Sequence, residues 1–401
     1  MTLLAVFCTF LVIMTVKQTL MNKTNISKIT ETTFYTKEPK TTHFEITRRH
    51  SISSNHSCQP QKNVAFLKVH KTGSSTMLNM FYRFASKYSL NLVLPKSNIG
   101  NFNYLGYGTT LNPKELVPLI AGESYNILCN HVVYNRQAFR AIMPRDTMYI
   151  GILREPVAHF MSAFSYYGGG SFMREQTKHL PLSEINLMKA FLQNPYKYST
   201  SGTIYYLNNK MSFDFGLNQT DYGNSAAISE FISRLDEDFI LVIILEYLDE
   251  SLVLLKRILC WEMQDIIYIP VNVRFSRGSQ RSKTAKLNKK DIKNLQKYNK
   301  ADFLLYDFFK KRLLFQIQDA EIDFQSELKQ FRKIQSQVYV FCKKWLKRNL
   351  IIFESKWNSM FTISPVDCLN MMRDELNVVK EKIDKANEKY VLWSHAKQTE
   401  Y

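Results

Sequence analysis

The chain has 401 residues, with 53 lysines and arginines against 35 aspartates and glutamates, a formal net charge of +18. Hydrophobic residues make up 45% of it, which excludes wholesale disorder and leaves enough apolar material for a large core in one to three domains. The positive charge suits an anionic partner, but nucleic acid is not favoured: no basic patch is interleaved with aromatics, and no Cys/His spacing fits a zinc module.

Residues 1–16 are uncharged and apolar and end at Lys17. At 1.5 Å per residue, a helix of that length spans about 24 Å, slightly short of a bilayer core. Two readings stand, a signal-anchor over residues 1–20 or a cleaved signal peptide. No small-x-small cleavage site follows in VKQTLM, which favours the anchor, although the basic flank expected of one is missing. Residues 21–61 are polar, rich in Thr, Ser and Lys, and read as a stem. They hold sequons at Asn22, Asn25 and Asn55, and a fourth stands at Asn218. The cysteines are Cys8, Cys58, Cys129, Cys260, Cys342 and Cys368. Outside the apolar N-terminus their number is odd, so disulfides formed in an oxidising lumen leave at least one cysteine unpaired or bonded between chains.

Residues 64–79, VAFLKVHKTGSSTMLN, open with a branched apolar run over 64–69 that predicts a buried strand. The chain then turns through His70, Lys71, Thr72, Gly73 and Ser74 into a helix over 75–87. Strand, small-residue loop and helix aim backbone N–H groups and a positive dipole end at an anion. Lys71 can neutralise that anion, Gly73 lets the backbone approach, and Ser74, Ser75 and Thr76 can cap the helix or donate to the same group. The nucleotide loop GxxxxGK[ST] is absent, since the lysine here precedes the glycine, and the order argues against a magnesium–triphosphate.

Further strands are predicted over 90–94, 125–129, 148–153 (MYIGIL) and 239–245 (FILVIIL), with helices over 157–167 and 251–261. Apolar strands alternating with helices give an α/β fold, a parallel sheet with helices on both faces. Ligands bind at the carboxyl ends of such strands, and His70, His131 and Arg154 all fall there. Aromatic and amphipathic patterns beyond residue 300, over 324–347 and 371–390, predict packing helices. The organisation expected is a domain over 62–320 followed by a helical extension over 321–401 packed on it.

The run Lys68-Val69-His70-Lys71-Thr72-Gly73-Ser74-Ser75-Thr76 resembles the 5′-phosphosulfate loop of the galactose 3-O-sulfotransferases. Leu128-Cys129-Asn130-His131, Leu153-Arg154-Glu155-Pro156 with Ser162 and Phe164, and EYLDESLVLLKRILCW over 246–261 resemble the same family in the same order. The likeness covers about half the chain and is weak beyond Pro270. It implies a P-loop-like sulfotransferase fold and a Golgi membrane enzyme with a type II anchor and a luminal catalytic domain. Its donor would be 3′-phosphoadenosine 5′-phosphosulfate (PAPS), leaving PAP, and its acceptor a terminal galactose of a glycolipid or glycan. A homodimer is compatible with it.

Sulfuryl transfer needs a base for the acceptor hydroxyl and compensation of charge on the sulfuryl and leaving phosphate groups. His70 beside the loop is the expected base, and His131 is expected to orient the acceptor or share that role. Lys71 and residues 72–76 are expected on the phosphosulfate, with Arg154 and Ser162 on the 3′-phosphate. Tyr205, Tyr206, Asn208 and Asn209 stand where a sugar ring could be read. Arg281 and Lys283, in the lysine-rich stretch 281–300, are candidates for a loop over the nucleotide. No metal is implied, as no Asp/Glu cluster accompanies the loop. The alternatives are transfer to another sugar hydroxyl, or a non-catalytic glycan- or nucleotide-binding protein on this fold.

Overall fold

The apolar runs MYIGIL and FILVII become the two longest strands, β3 (Met148–Leu153) and β4 (Phe239–Ile244), because side chains on both faces of a parallel strand must be buried. The computed structural model describes residues 58–96, 103–178, 182–198, 202–270, 286–320, 323–344 and 348–398. The expected anchor, nearly all of the stem with Asn22, Asn25 and Asn55, and Arg281 and Lys283 lie outside the described residues. β1 (Val64–Phe66) and β2 (Ile127–Leu128) complete a parallel sheet in the order β2-β1-β3-β4. The order reverses at β1, so the chain leaves β1 and β3 in opposite directions and opens a crevice at their carboxyl ends.

Two expected strands are shorter than the sequence suggests. The run 64–69 leaves the ladder after Phe66, although Leu67 N–H still donates to Ile150 O at 2.8 Å. Residues 90–94 make only a bridge, Leu92 to Ile127, with Val93 N–H donating to Ile127 O. That bridge covers the outer edge of β2. On the opposite edge, Arg312 Nη2 donates to the carbonyls of Phe239 and Ile240, and Gln316 Nε2 to that of Ile240. Side chains thus occupy part of the edge that could pair with another strand.

Helices flank the sheet. α1 (Ser74–Lys87) follows β1, α2 (Arg136–Ile142) precedes β3, and α3 (Pro156–Tyr166) follows it. α4 (Gly169–Gln176) and α5 (Glu184–Gln193) pack with α3 around Phe160, Phe164 and Phe191 in a second, smaller core. The short α6 (Lys210–Asp214) is followed by α7 (Ser225–Asp238), and β4 leads to α8 (Leu248–Leu259). Then come α9 (Lys289–Tyr298) and α10 (Lys300–Asp319).

The C-terminal region is built into this body. α11 (Asp323–Lys344) carries the buried Glu327, which pairs with Lys256 at 2.8 Å and Arg257 at 2.6 Å on α8. A two-stranded antiparallel hairpin, β5 (Leu350–Ile352) and β6 (Phe361–Ile363), leads to α12 (Pro365–Met372) and α13 (Glu375–Gln398), both packed on α1. Cys58 is bonded to Cys260 and Cys342 to Cys368, while Cys129 is unpaired and buried at 1% exposure, which keeps it from bridging chains. Among the described residues, no helix is long and apolar enough to cross a membrane.

The Cys342–Cys368 bond closes a loop with a sequence separation of 26. Closing such a loop constrains the unfolded chain by about 3–4 kcal/mol. Replacing both cysteines by serine is expected to lower stability by that order in chemical denaturation under non-reducing conditions.

Candidate active site

The turn after β1 is held by its own carbonyls. Thr72 Oγ1 and Ser74 Oγ both donate to Val69 O, at 3.0 and 2.6 Å. His159 Nε2, on α3, donates to His70 O at 2.9 Å, and Arg154 Nη1 to Lys71 O at 3.1 Å. Three successive carbonyls are therefore committed on one side. Lys71 at φ 58° and Gly73 at φ 78° take left-handed backbone, which glycine tolerates without strain. A Cβ on Gly73 would also come within 2.8 Å of Leu245 Cδ1. The expected side-chain cap does not form: the hydroxyls of Thr72 and Ser74 are spent on Val69 O, and the residue that precedes α1, Gly73, has no side chain to cap it. Thr76 N–H donates to Gly73 O at 3.1 Å, and the start of α1 is the helix end that favours an anion. Lys71 Nζ lies 3.4 Å from the centre of the Tyr166 ring, a cation–π contact.

His70 is buried at 6% exposure and stands on a charged chain that the sequence reading missed. Its Nδ1 lies 2.7 Å from Asp214 Oδ2, which also accepts its backbone N–H at 2.9 Å. Asp214 Oδ1 pairs with Lys210 Nζ at 2.9 Å, and Lys210 donates to Tyr205 Oη at 3.0 Å. The carboxylate makes Nδ1 the protonated nitrogen and turns Nε2 outward as an acceptor, 3.0 Å from Tyr104 Oη. Burial lowers the His70 pKa, with Asp214 pulling against it. Burial disfavours the ionised Asp214, but His70 and Lys210 outweigh it and hold its pKa well below the usual carboxylate range. Asp302 on α10 places α6 by accepting from Met211 N and from Ser212 N and Oγ at its first turn.

His131 lies flat on His70, the ring centres 4.0 Å apart and the planes 17° apart. Both of its nitrogens are engaged. Lys68 Nζ, 2% exposed, lies 2.6 Å from Nε2, and Nδ1 lies 2.9 Å from Lys68 O. An ammonium has only protons to give, so Nε2 is the acceptor and Nδ1 carries the hydrogen. Burial drives the His131 pKa well below the ordinary value, with His70 and Lys68 adding to it. Lys68 in turn pairs with Glu375 Oε1 on α13 at 3.0 Å.

Arg154 follows β3 and Ser162 lies on α3, both half-buried. Glu155 caps α3 by accepting from Val157 and Ala158 N–H, a local role. Tyr104, Tyr167 and Tyr206 ring His70, with Tyr167 and Tyr206 stacked 3.8 Å apart and Tyr107 and Tyr206 hydroxyls 2.9 Å apart. Of the residues expected to read a sugar, Tyr205 and Tyr206 reach this rim. Asn208 and Asn209 turn inward instead, both donating to Tyr298 O. A cleft of about 480 Å³ lined by Arg83, Lys87, Arg373 and Glu381 lies elsewhere, beside α1, α12 and α13. Among the described residues, no three His, Cys, Asp or Glu side chains are grouped to hold a metal ion.

Residues 2–348 match the family model described as galactose-3-O-sulfotransferase. The chain belongs to the galactose-3-O-sulfotransferase family. It is 35% identical to the galactosylceramide sulfotransferase of Homo sapiens, over 54% of this chain and 50% of that protein. With the galactose-3-O-sulfotransferase 2 of Mus musculus the identity is 32%, over 71% and 70% respectively. With the galactose-3-O-sulfotransferase 3 of Homo sapiens it is 32%, over 63% and 58%. The matched part thus spans about half the length of galactosylceramide sulfotransferase. Within the family match lie His70, Lys71, Arg154 and Asp214, whereas Glu375 lies beyond it.

The charge chain on His70 makes a prediction independent of any ligand. His70 should stay neutral below pH 6.5, since burial lowers its pKa, and Asp214 is the group that raises it. Asp214→Asn should therefore move the His70 midpoint lower still, read by NMR titration of the imidazole. A midpoint that rises in the variant would contradict the assignment.

Proposed function

We propose that the chain transfers a sulfuryl group from PAPS to the 3-hydroxyl of galactose in a glycolipid or glycan. The observation that carries this reading is the placement of His70. Its Nδ1 is tied to buried Asp214 and its Nε2 faces the tyrosine rim, one residue before Lys71 and the uncapped start of α1. The donor set suits a phosphosulfate: backbone amides at a helix start, Lys71, and the guanidinium of Arg154.

When bound, PAPS supplies a sulfuryl group on a phosphate leaving group. Lys71 and the amides of residues 72–76 would hold the sulfate and 5′-phosphate oxygens, and Arg154 with Ser162 would take the 3′-phosphate. Nε2 of His70 accepts the galactose hydroxyl proton as the Tyr104 hydroxyl gives way, and Asp214 compensates the imidazolium that forms. His131, with both nitrogens engaged, supports the His70 ring and leaves the base role to it. Ring faces beside hydroxyls at Tyr104, Tyr107 and Tyr206 suit one face of a pyranose. The setting in this reading is the Golgi lumen, with residues 1–20 as anchor; two disulfides and an exposed sequon at Asn218 support an oxidising, glycosylating compartment.

The test is transfer of radiolabelled sulfate from PAPS to galactosylceramide, lactosylceramide and N-acetyllactosamine. Transfer to none of them overturns the reading. His70→Ala should lower kcat by roughly 10²–10⁴-fold while leaving PAP affinity nearly unchanged in calorimetry.

Arg154→Ala should weaken PAP more than adenosine 5′-phosphosulfate, which lacks the 3′-phosphate. A charge-assisted contact is worth about 1.5–3 kcal/mol, roughly ten- to a hundredfold in Kd. Part of the loss should be shared by both ligands, because Arg154 also holds Lys71 O. Equal losses for the two would assign Arg154 to the loop alone.

A further inference from the structure

Lys68 interrupts an apolar run and is 2% exposed, yet its ammonium lies inside the molecule. A buried cation persists only with a carboxylate and hydrogen-bond acceptors around it. The carboxylate comes from Glu375, the first residue of α13, on the C-terminal region beyond the residues that match the family. Glu375 Oε1 accepts from Lys68 Nζ at 3.0 Å and from Asn103 Nδ2 at 3.0 Å, and the carboxylate also accepts from the Ser75 side chain. Ser75 lies in the first turn of α1, and the Asn103 carbonyl accepts the His131 backbone N–H at 2.9 Å. One carboxylate thus joins the end of β1, the start of α1 and the segment beside His131.

We propose that Glu375 is a positioning residue of the active site: it holds the Lys68 ammonium on the Nε2 lone pair of His131, whose Nδ1–H is tied to Lys68 O, and so keeps the ring that lies flat against His70 neutral. The inference rests on His70 being the base, as argued above. A proton on His131 would place a second positive ring 4.0 Å from the imidazolium that forms on His70. With Lys68 on its lone pair, His131 has no site for that proton, and the acceptor proton goes to His70 alone. Remove the carboxylate and the buried ammonium sheds its proton or shifts, and the His131 lone pair is released.

The experiment uses the full chain with 15N-labelled histidine, in wild type, Glu375→Gln, Lys68→Met and the double variant. Three quantities are read: the tautomer of His131 by NMR, thermal stability, and kcat against KM for PAPS. Wild type should show His131 as the neutral Nδ1–H form across the pH range of the folded chain, and in both single variants Nε2 should also take up a proton as the pH falls. Glu375→Gln keeps an oxygen for Ser75 and Asn103. It should lower kcat about ten- to a hundredfold, the range for displacing a supporting contact, with KM for PAPS changed much less. The double variant carries neither buried charge, so its stability should recover while kcat stays low, because nothing occupies the Nε2 lone pair of His131. A purely structural ion pair would restore kcat together with stability, and that result overturns the proposal. So does a His131 whose Nε2 stays unprotonated in Glu375→Gln over the same pH range as in wild type. Should that variant not fold, Lys68→Met carries the same test, and an Nε2 that stays unprotonated there is equally fatal. If wild type transfers no sulfate, the functional reading falls, while the NMR signature still judges the placement of His131.

Discussion

A carboxylate withdrawn from water must be matched by cations and donors around it, and Asp214 is 1% exposed. Lys210, one turn earlier on α6, supplies a full charge, and His70 supplies two hydrogen bonds, one from its backbone and one from its ring. The requirement works in both directions. Asp214 fixes where the His70 backbone runs and which of its nitrogens carries the hydrogen, and His70 with Lys210 keeps the carboxylate ionised. α6 is docked by Asp302, so a helix of five residues has a defined position despite being too short to be stable alone. The functional side chains inherit their positions from this arrangement.

The loop after β1 illustrates the same economy at the level of the backbone. Val69, His70 and Lys71 give their carbonyls to side chains from the loop itself and from the β3–α3 segment. The reversal of strand order between β1 and β3 is what brings Arg154 and His159 to that loop. Sheet topology and loop rigidity are one fact seen twice: the neighbouring strand delivers the donors that hold the turn.

The sheet was legible because FILVII and MYIGIL are apolar without alternation, and parallel strands buried on both sides read that way. His70, His131 and Arg154 could be grouped from the sequence because each follows a predicted strand, although β1 itself ends at Phe66. Strand lengths were not, since an apolar run says that residues are buried and not whether they pair, as 67–69 and 90–94 illustrate. Asp214 carried a weak signal, an acid inside the apolar segment KMSFDFG, but its partner lies 144 residues away. Lys68 was visible as a charge in a strand. Glu375 was not, because an acid in the first turn of a helix is ordinary and only the packing of α13 on α1 brings it to Lys68.

The Cys58–Cys260 bond joins the residues that enter the domain to the end of α8. Gln61 N–H donates to Leu259 O, and Trp261 Nε1 donates to Gln61 O, so the junction is fastened at three points. Five residues lie between Cys58 and the start of β1, an inner strand that leads to His70 and Lys71. Tension or thermal agitation arriving from upstream is therefore delivered to a covalent link on α8 and grounded there. The strand that leads to His70 is mechanically insulated from whatever the preceding chain is tied to.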